Sequence, residues 1–429
     1  MRKEHITLEV QDLLRQYAAH PQVAALNTLL KSKTSRNIFL KGLNGSGAAM
    51  TIASLFFKRR GSYVCVLNDL EEAGYFYHDL VQLTGGDGIY FFPSAYRRAI
   101  KYGHVDPANE ILRTEVLSTL QDPTVPFVIV TYPDALAEKV VSRKELSDKT
   151  LKLNVGEKVD TTFITDVLHS YGFEYVDYVY EPGQYAVRGS IIDVFSFASE
   201  YPYRIDFFGD EVESIRTFEV ESQLSREKKE GVSIVPDLAV TGDVTTSFLD
   251  FIPKETTLAM RDFLWLRERI QVVHDEALTP QAIAVQEVEE NGGITLEGKL
   301  IDGSEFTVRA LDFRRLEFGN KPTGTPNASV TFDTSAQPIF HKNFDLVAGS
   351  FKEYLEKGYT LYICSDSMKQ TGRIRAIFED RGDKIKFTPV ERTVHEGFVD
   401  NTLRLCFFTD HQLFDRFHKY NLKSDKARS

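Results

Sequence analysis

The chain has 429 residues, too many for one ordinary core, and a length prior gives about three domains. Its hydrophobic and charged fractions, 42% and 26%, are those of a soluble globular protein, and no apolar run reaches membrane-spanning length. A formal net charge of -11 argues against a chain that wraps nucleic acid by itself, because phosphate affinity rests on many Lys and Arg contacts.

The opening residues, Met1-Arg2-Lys3-Glu4-His5, contain no apolar signal core, so a cytoplasmic protein is expected. Helical spacing of apolar residues continues to about Ala25. Arg36 to Lys41 then reads as a short strand running into a glycine-rich loop, and Ala48 to Phe57 as a helix closed by the cations Lys58, Arg59 and Arg60. Tyr63 to Leu67, Gly88 to Phe92 and Pro126 to Thr131 are further buried strands. The helices Leu70 to Leu83 and Pro107 to Leu120 lie between them. Strands alternating with helices imply a parallel sheet covered on both faces.

After about Glu145 the pattern changes. One helix, Thr161 to Tyr171, precedes short strands in succession: Tyr175 to Tyr180, Tyr185 to Phe195, Tyr203 to Phe208 and Glu213 to Glu219. Their turns are marked by Pro182-Gly183 and Gly209-Asp210. This predicts an antiparallel α+β subdomain inserted into the first domain. The stretch from Val235 to Pro322 is mixed, and Lys321 to Asn327 reads as a loop before another domain. Leu346 to Glu356, Tyr359 to Cys364, Gln370 to Asp380 and Leu403 to Phe408 then give a small α/β domain. The expected division is 1–145, 146–225, 226–330 and 331–429, with the first and third segments forming one α/β domain. The polar, basic tail Lys423 to Ser429 resembles a linker more than a closing element, which suggests a longer protein.

The loop Gly42-Leu43-Asn44-Gly45-Ser46-Gly47-Ala48-Ala49 lies between a predicted strand and helix, the setting of a phosphate-binding P-loop. Gly42 and Gly47 occupy the pattern's glycine positions. Ala48 replaces the lysine that neutralises the β and γ phosphates, and Ala49 replaces the hydroxyl that holds magnesium. Backbone amides at the helix start could still attract an anion weakly. Hydrolysis needs charge that is absent, so no cofactor is expected.

Other constellations are bland. Cys65, Cys364 and Cys406 each sit in an apolar run, odd in number and far apart, as buried thiols in a reducing compartment do. No Cys/His spacing suggests a metal. Asp410 ends an apolar strand as a magnesium-holding acid does in ATPases, but in a different domain from Gly42. The stretch Tyr96 to His104 interleaves cations with aromatics and reads as a solvated loop. No nucleophile, base and orienting acid stand at a recognisable spacing, so no catalytic residue is expected.

Three stretches together resemble one family. Gly42 to Ala49 resembles the ATP loop of the repair protein UvrB with its lysine and hydroxyl removed. The run from Val176 through Glu181-Pro-Gly183-Gln-Tyr185-Ala-Val-Arg188-Gly189 to Asp193-Val-Phe195, then Tyr203-Arg204-Ile-Asp206 to Arg216, resembles the UvrA-binding subdomain of UvrB and the transcription-repair coupling factors. His395-Glu-Gly-Phe398-Val-Asp400, with Leu403 to Phe414, resembles the third domain of the coupling factors, which UvrB lacks.

That resemblance implies a helicase-like α/β domain with a degenerate P-loop, split by the inserted UvrA-binding subdomain, and a small last α/β domain. It implies a module that recruits UvrA to direct nucleotide excision repair to stalled RNA polymerase, with no ATPase of its own. In the family, a C-terminal domain masks the UvrA contact. An ATP- and magnesium-dependent motor, the RNA polymerase contact and the DNA contact lie in domains beyond the matched region, and no membrane is involved. Arg188, Phe195 and Arg204 are the implied UvrA-binding residues; Arg216 has no matched role. As a strand residue, Arg188 is also suited to pairing with Asp206 on the next strand. The alternative is a nucleotide-dependent DNA-binding enzyme of the UvrB or helicase class, and the Ala48-Ala49 pair opposes it.

Overall fold

The computed structural model describes residues 9–96, 106–122, 124–238, 242–288 and 296–416. A seven-stranded sheet organises the first body. In spatial order its strands are Ala328–Thr331, Asn37–Lys41, Arg314–Glu317, Thr257–Met260, Tyr63–Val66, Val128–Thr131 and Ile89–Phe91, all parallel. Thr257–Met260, Tyr63–Val66 and Val128–Thr131 are buried at every position, as strands covered on both faces must be. Two of these strands precede an insertion and one follows it, so a single sheet is assembled from both sides of residues 151–234.

The inserted body hangs on a two-stranded ribbon in which Leu151–Asn154 pairs antiparallel with Gly231–Ile234. Beyond it lie the helix Thr161–Ser170 and a six-stranded sheet. The sheet order is Ser225–Lys229, Glu211–Phe218, Tyr203–Phe208, Ile191–Val194, Gln184–Arg188 and Glu174–Tyr175. Only the last pair is parallel. Side chains of a strand alternate between faces. Tyr185, Ile192, Val194, Ile205 and Ile215 therefore share one face and pack against Ile164 and Leu168 of the helix, leaving the other face outward.

Three local expectations need correction. The body runs past residue 225 because Ser225–Lys229 is a strand exposed at all its positions; a strand with no buried face has no apolar alternation to read. Of the expected Tyr175 to Tyr180 strand only Tyr175 is in the strand observed, Glu174–Tyr175. Tyr185 to Phe195 is not one strand but a hairpin, reversed at Gly189, whose φ of 58° favours glycine.

The last body is a five-stranded sheet in the order Thr334–Ala336, Phe398–Asp400, Leu405–Thr409, Thr360–Cys364 and Thr388–Val390. Alternation decides what it touches. Leu361, Ile363, Cys406 and Phe408 pack with Phe351 and Phe378 of the helices Phe344–Glu356 and Met368–Asp380. Tyr362, Cys364, Leu405 and Phe407 point the other way and join the core of the first body. The three cysteines are buried and unpaired, and burial pushes the Cys65 and Cys364 thiols far up.

Candidate functional site

The glycine loop leaves the strand Asn37–Lys41 and enters the helix Gly47–Phe56. Gly42 has a φ of 86°, and a Cβ there would stand 2.0 Å from the Phe332 carbonyl oxygen. A Cβ at Gly45, φ 54°, would stand 2.6 Å from the Gly397 carbonyl oxygen. Both glycines are thus needed for close approach of backbone, and the approaching groups are the protein's own. The Asn44 N–H donates to Thr334 Oγ1 at 3.1 Å, and the Ser46 N–H donates to the Glu396 carbonyl at 2.9 Å. The Gly47 N–H turns back to the Asn44 carbonyl at 2.9 Å. Ala48 and Ala49 are buried in the first turn of the helix. Two amides of the loop thus face a hydroxyl and a carbonyl oxygen of the last body, and a third faces the loop's own Asn44 carbonyl.

A carboxylate lies beside these groups. Asp79, on the helix Leu70–Thr84, accepts from Ser46 Oγ at 2.7 Å and from the His395 N–H at 2.8 Å. The Glu396 N–H completes the ring by donating to Ser46 Oγ at 3.0 Å. Burial pushes the Asp79 carboxyl up to about 7, while the Ser46 and His395 hydrogen bonds pull it the other way. The His395 ring stacks on Tyr75, centroids 3.4 Å apart. Asp79 could have been noticed in the sequence, because it falls in the buried stripe of Phe76, Leu80 and Leu83. Asp410, at the end of its strand, accepts from Ser365 Oγ at 2.8 Å within the last body.

A second polar seam joins the ends of the described chain. Tyr17 Oη donates to Asp400 Oδ2 at 3.0 Å, and His20 Nε2 meets the same oxygen at 3.0 Å. His20 Nδ1 accepts the Gln22 N–H, so Nε2 carries the proton. The other oxygen of Asp400 accepts from the Thr402 and Leu403 amides. Burial alone would raise the Asp400 carboxyl, but these donors outweigh it and hold the group below its ordinary value.

The expected partner-binding residues converge elsewhere, on the outward face of the inserted sheet. Asp193 is 1% exposed and carries both arginines. Arg204 grips it with two bonds, Nε to Oδ1 at 2.9 Å and Nη2 to Oδ2 at 3.0 Å, and its Nη1 donates to the Gln223 carbonyl at 2.8 Å. Its guanidinium lies 4.4 Å from the Phe218 ring centre. Arg188 also donates to Asp193 Oδ2, reaches the Asp177 carbonyl at 3.1 Å, and sits over the Tyr178 ring at 5.2 Å. The acid beneath Arg188 is therefore Asp193, not Asp206, which accepts instead from Ser190 Oγ at 2.8 Å. With 37% of its side chain exposed, Arg188 is partly anchored and partly presented, and Tyr178, over whose ring it lies, is exposed too. Phe195 is buried with Val179, Ala186 and Phe218, so its ring fills this body's own small core instead of facing a partner. Apart from Tyr96, the basic and aromatic stretch to His104 lies outside the described residues.

Residues 151–239, the inserted body, match the UvrB interaction domain family. Across a wider span, a transcription-repair-coupling factor from Staphylococcus haemolyticus (strain JCSC1435) is 23% identical over 463 residues, covering 92% of this chain and 39% of that protein. Over most of its length this chain is similar to the transcription-repair coupling factors. The factor from Escherichia coli (strain K12) is 28% identical over 208 residues, 48% of this chain and 18% of that protein. The chain thus spans about two fifths, or less, of the length of the coupling factors it matches. Among solved structures it matches the DEAD-box helicase Mss116 bound to ssRNA and UDP-BeF with a TM-score of 0.24 and 9% identity, over 89% of this chain and 60% of that one, a likeness too slight to bear on fold or function.

Proposed function

We propose that this chain is the recruiting part of a transcription-repair coupling protein, that it binds UvrA through the outward face of the inserted sheet, and that it does so without nucleotide. The observation that carries the reading is the coincidence of the UvrB interaction domain match with the Asp193-centred arginine cluster on that face. Arg188 is held from below by Asp193 and from the side by the Asp177 carbonyl, so its remaining donors are presented with little rotamer entropy left to lose. The exposed Tyr178 beneath it supplies amphipathic area of the kind that interfaces favour.

The nucleotide-independent part of the reading rests on the closed glycine loop. A triphosphate entering there would displace the Glu396 carbonyl and meet the Asp79 carboxylate with no lysine to offset it. In this reading the ATP-driven motor and the contacts with RNA polymerase and DNA belong to parts of the coupling protein outside this chain. So does the C-terminal domain that masks the UvrA contact.

Calorimetric titration of UvrA into the purified chain tests this directly. The expected result is saturable binding in the micromolar range or tighter (about -8 kcal/mol) in the absence of ATP on this chain's side. No binding, or binding that requires nucleotide on this chain, would overturn the proposal.

A further inference from the structure

Pairing register places four side chains in one row across the outward face of the inserted sheet. Asp193 stands opposite Arg204, Arg204 opposite Arg216, and Arg216 opposite Lys228. Directly opposed residues share a face with Cβ atoms about 4.5–5.5 Å apart, and like charges so placed destabilise a sheet. At the inner end of the row, Arg188 and Arg204 share the buried Asp193. At the outer end, Arg216 faces Lys228, and among the described residues neither has a hydrogen bond, ion pair or ring contact.

Three acids of this sheet and its last turn are engaged elsewhere. Asp206 takes the Ser190 hydroxyl, Glu219 holds Arg226 and Glu227 holds Lys229. Lys228 is exposed on an edge strand that is open along its whole length, and Arg216 is half-buried beside it. The sheet therefore carries an uncompensated like-charge pair on an accessible face, in a chain whose net charge is -11.

We infer that Arg216 and Lys228 form a second anchoring point of the partner face and receive carboxylates of an acidic segment of UvrA; this rests on the reading that this face meets UvrA. Arginine offers a planar fork that matches a carboxylate with two parallel bonds, and lysine adds a point charge beside it. Nucleic acid fits less well. Phosphate binding draws on many cations in a track, whereas this row ends in a single pair, Arg216 and Lys228, in a chain whose net charge is -11.

Two variants of the full chain test this. Lys228→Glu places an acid opposite Arg216, and Arg216→Gln removes the guanidinium while keeping a long polar side chain. The expected result for Lys228→Glu is an unchanged or higher melting temperature together with about tenfold weaker UvrA binding. Arg216→Gln is expected to fold normally and weaken binding to a similar degree. In both, the fall of affinity with added salt becomes shallower than in wild type. If Arg188→Ala weakens UvrA binding but both variants bind within twofold of wild type, the face is right and this inference is wrong. If binding falls only in step with a lower melting temperature, the pair is structural and the inference is overturned. Loss of binding to a short single-stranded DNA with UvrA binding intact would assign the row to nucleic acid and overturn it also. A wild-type chain that does not bind UvrA would overturn the reading beneath it and this inference together.

Discussion

The Ser46 hydroxyl donates to the buried Asp79 carboxyl group at 2.7 Å, so the glycine loop is closed by an acid of the protein's own where such loops ordinarily hold a phosphate. Loss of the lysine and hydroxyl positions is then only part of why this loop should not take nucleotide. Neither the wild-type chain nor Ala48→Lys/Ala49→Thr is expected to bind magnesium-ATP in the micromolar range. The double variant is also expected to lose stability, because Ala48 and Ala49 are buried. Isothermal calorimetry checks this, and a saturable micromolar signal from either protein would contradict it.

Asp79 also sets a pH dependence. Its folded value is raised to about 7, against about 3.9 for an unperturbed Asp, so the folded state binds the proton more tightly than the unfolded chain. Its contribution to stability is therefore full below the unfolded value and is lost as pH rises from about 4 through about 7. Asp79→Asn is expected to flatten that part of the curve and to gain on the order of 1 kcal/mol over wild type at pH 8. Glu110, also pushed up to about 7 by burial, contributes the same sign and leaves some slope in the variant. Urea denaturation at pH 5 and pH 8 measures the difference; an equal effect at both values would refute it.

Asp400 works in the opposite sense. Held below its ordinary value, it contributes stability that is present above the unfolded carboxylate range and is lost as pH falls through its lower folded value. Tyr17→Phe removes one of its donors and is expected to cost about 1 kcal/mol. Asp400→Ala leaves the Tyr17 hydroxyl and the His20 Nε2–H unsatisfied in a buried place and is expected to cost about 3 kcal/mol. Chemical denaturation of the two variants at pH 7 orders them, and equal losses would show that Asp400 is not the hub of this seam.

The two arginines on Asp193 should separate by what each leaves behind. Arg204→Ala strips both oxygens of a buried carboxylate of their Arg204 bonds, frees the Gln223 carbonyl and uncovers Phe218, for an expected loss of about 3 kcal/mol. Arg188→Ala leaves Arg204 bonded to both oxygens and is expected to cost only about 1 kcal/mol of stability. It should nonetheless weaken UvrA binding at least tenfold (about 1.4 kcal/mol or more). A stable Arg204→Ala variant, or an Arg188→Ala variant with wild-type affinity, would fail this expectation.

Periodicity and glycine placement made much of the architecture legible. The buried strands and their intervening helices follow from apolar runs, and the inserted sheet follows from closely spaced turn signals. Pairing across long separations was not legible. Nothing local in Ser46, Asp79 or Glu396 announces that they meet, although Asp79 stands in an otherwise apolar helical stripe. The resemblance implies an interface role for Phe195, whereas its burial against Phe218 depends on how a later strand folds back. Arg216 was unremarkable until register set it opposite Lys228, on a strand whose lack of any buried face hid it from pattern reading.

The seam from Tyr17 and His20 to Asp400 has a consequence for the order in which the chain is made. His20 is completely buried, yet its partner follows 380 residues later. At ~5–20 residues per second, a ribosome needs about 20–80 s to travel that distance. During that interval the first helices exist without the carboxylate that satisfies them, and the parallel sheet they pack on still lacks the strands beyond the insertion. The inserted body has its own core and a ribbon that closes at Ile234, so it can complete itself while its host remains open. Synthesis thus delivers the outward face of the inserted sheet before the body that carries it is sealed.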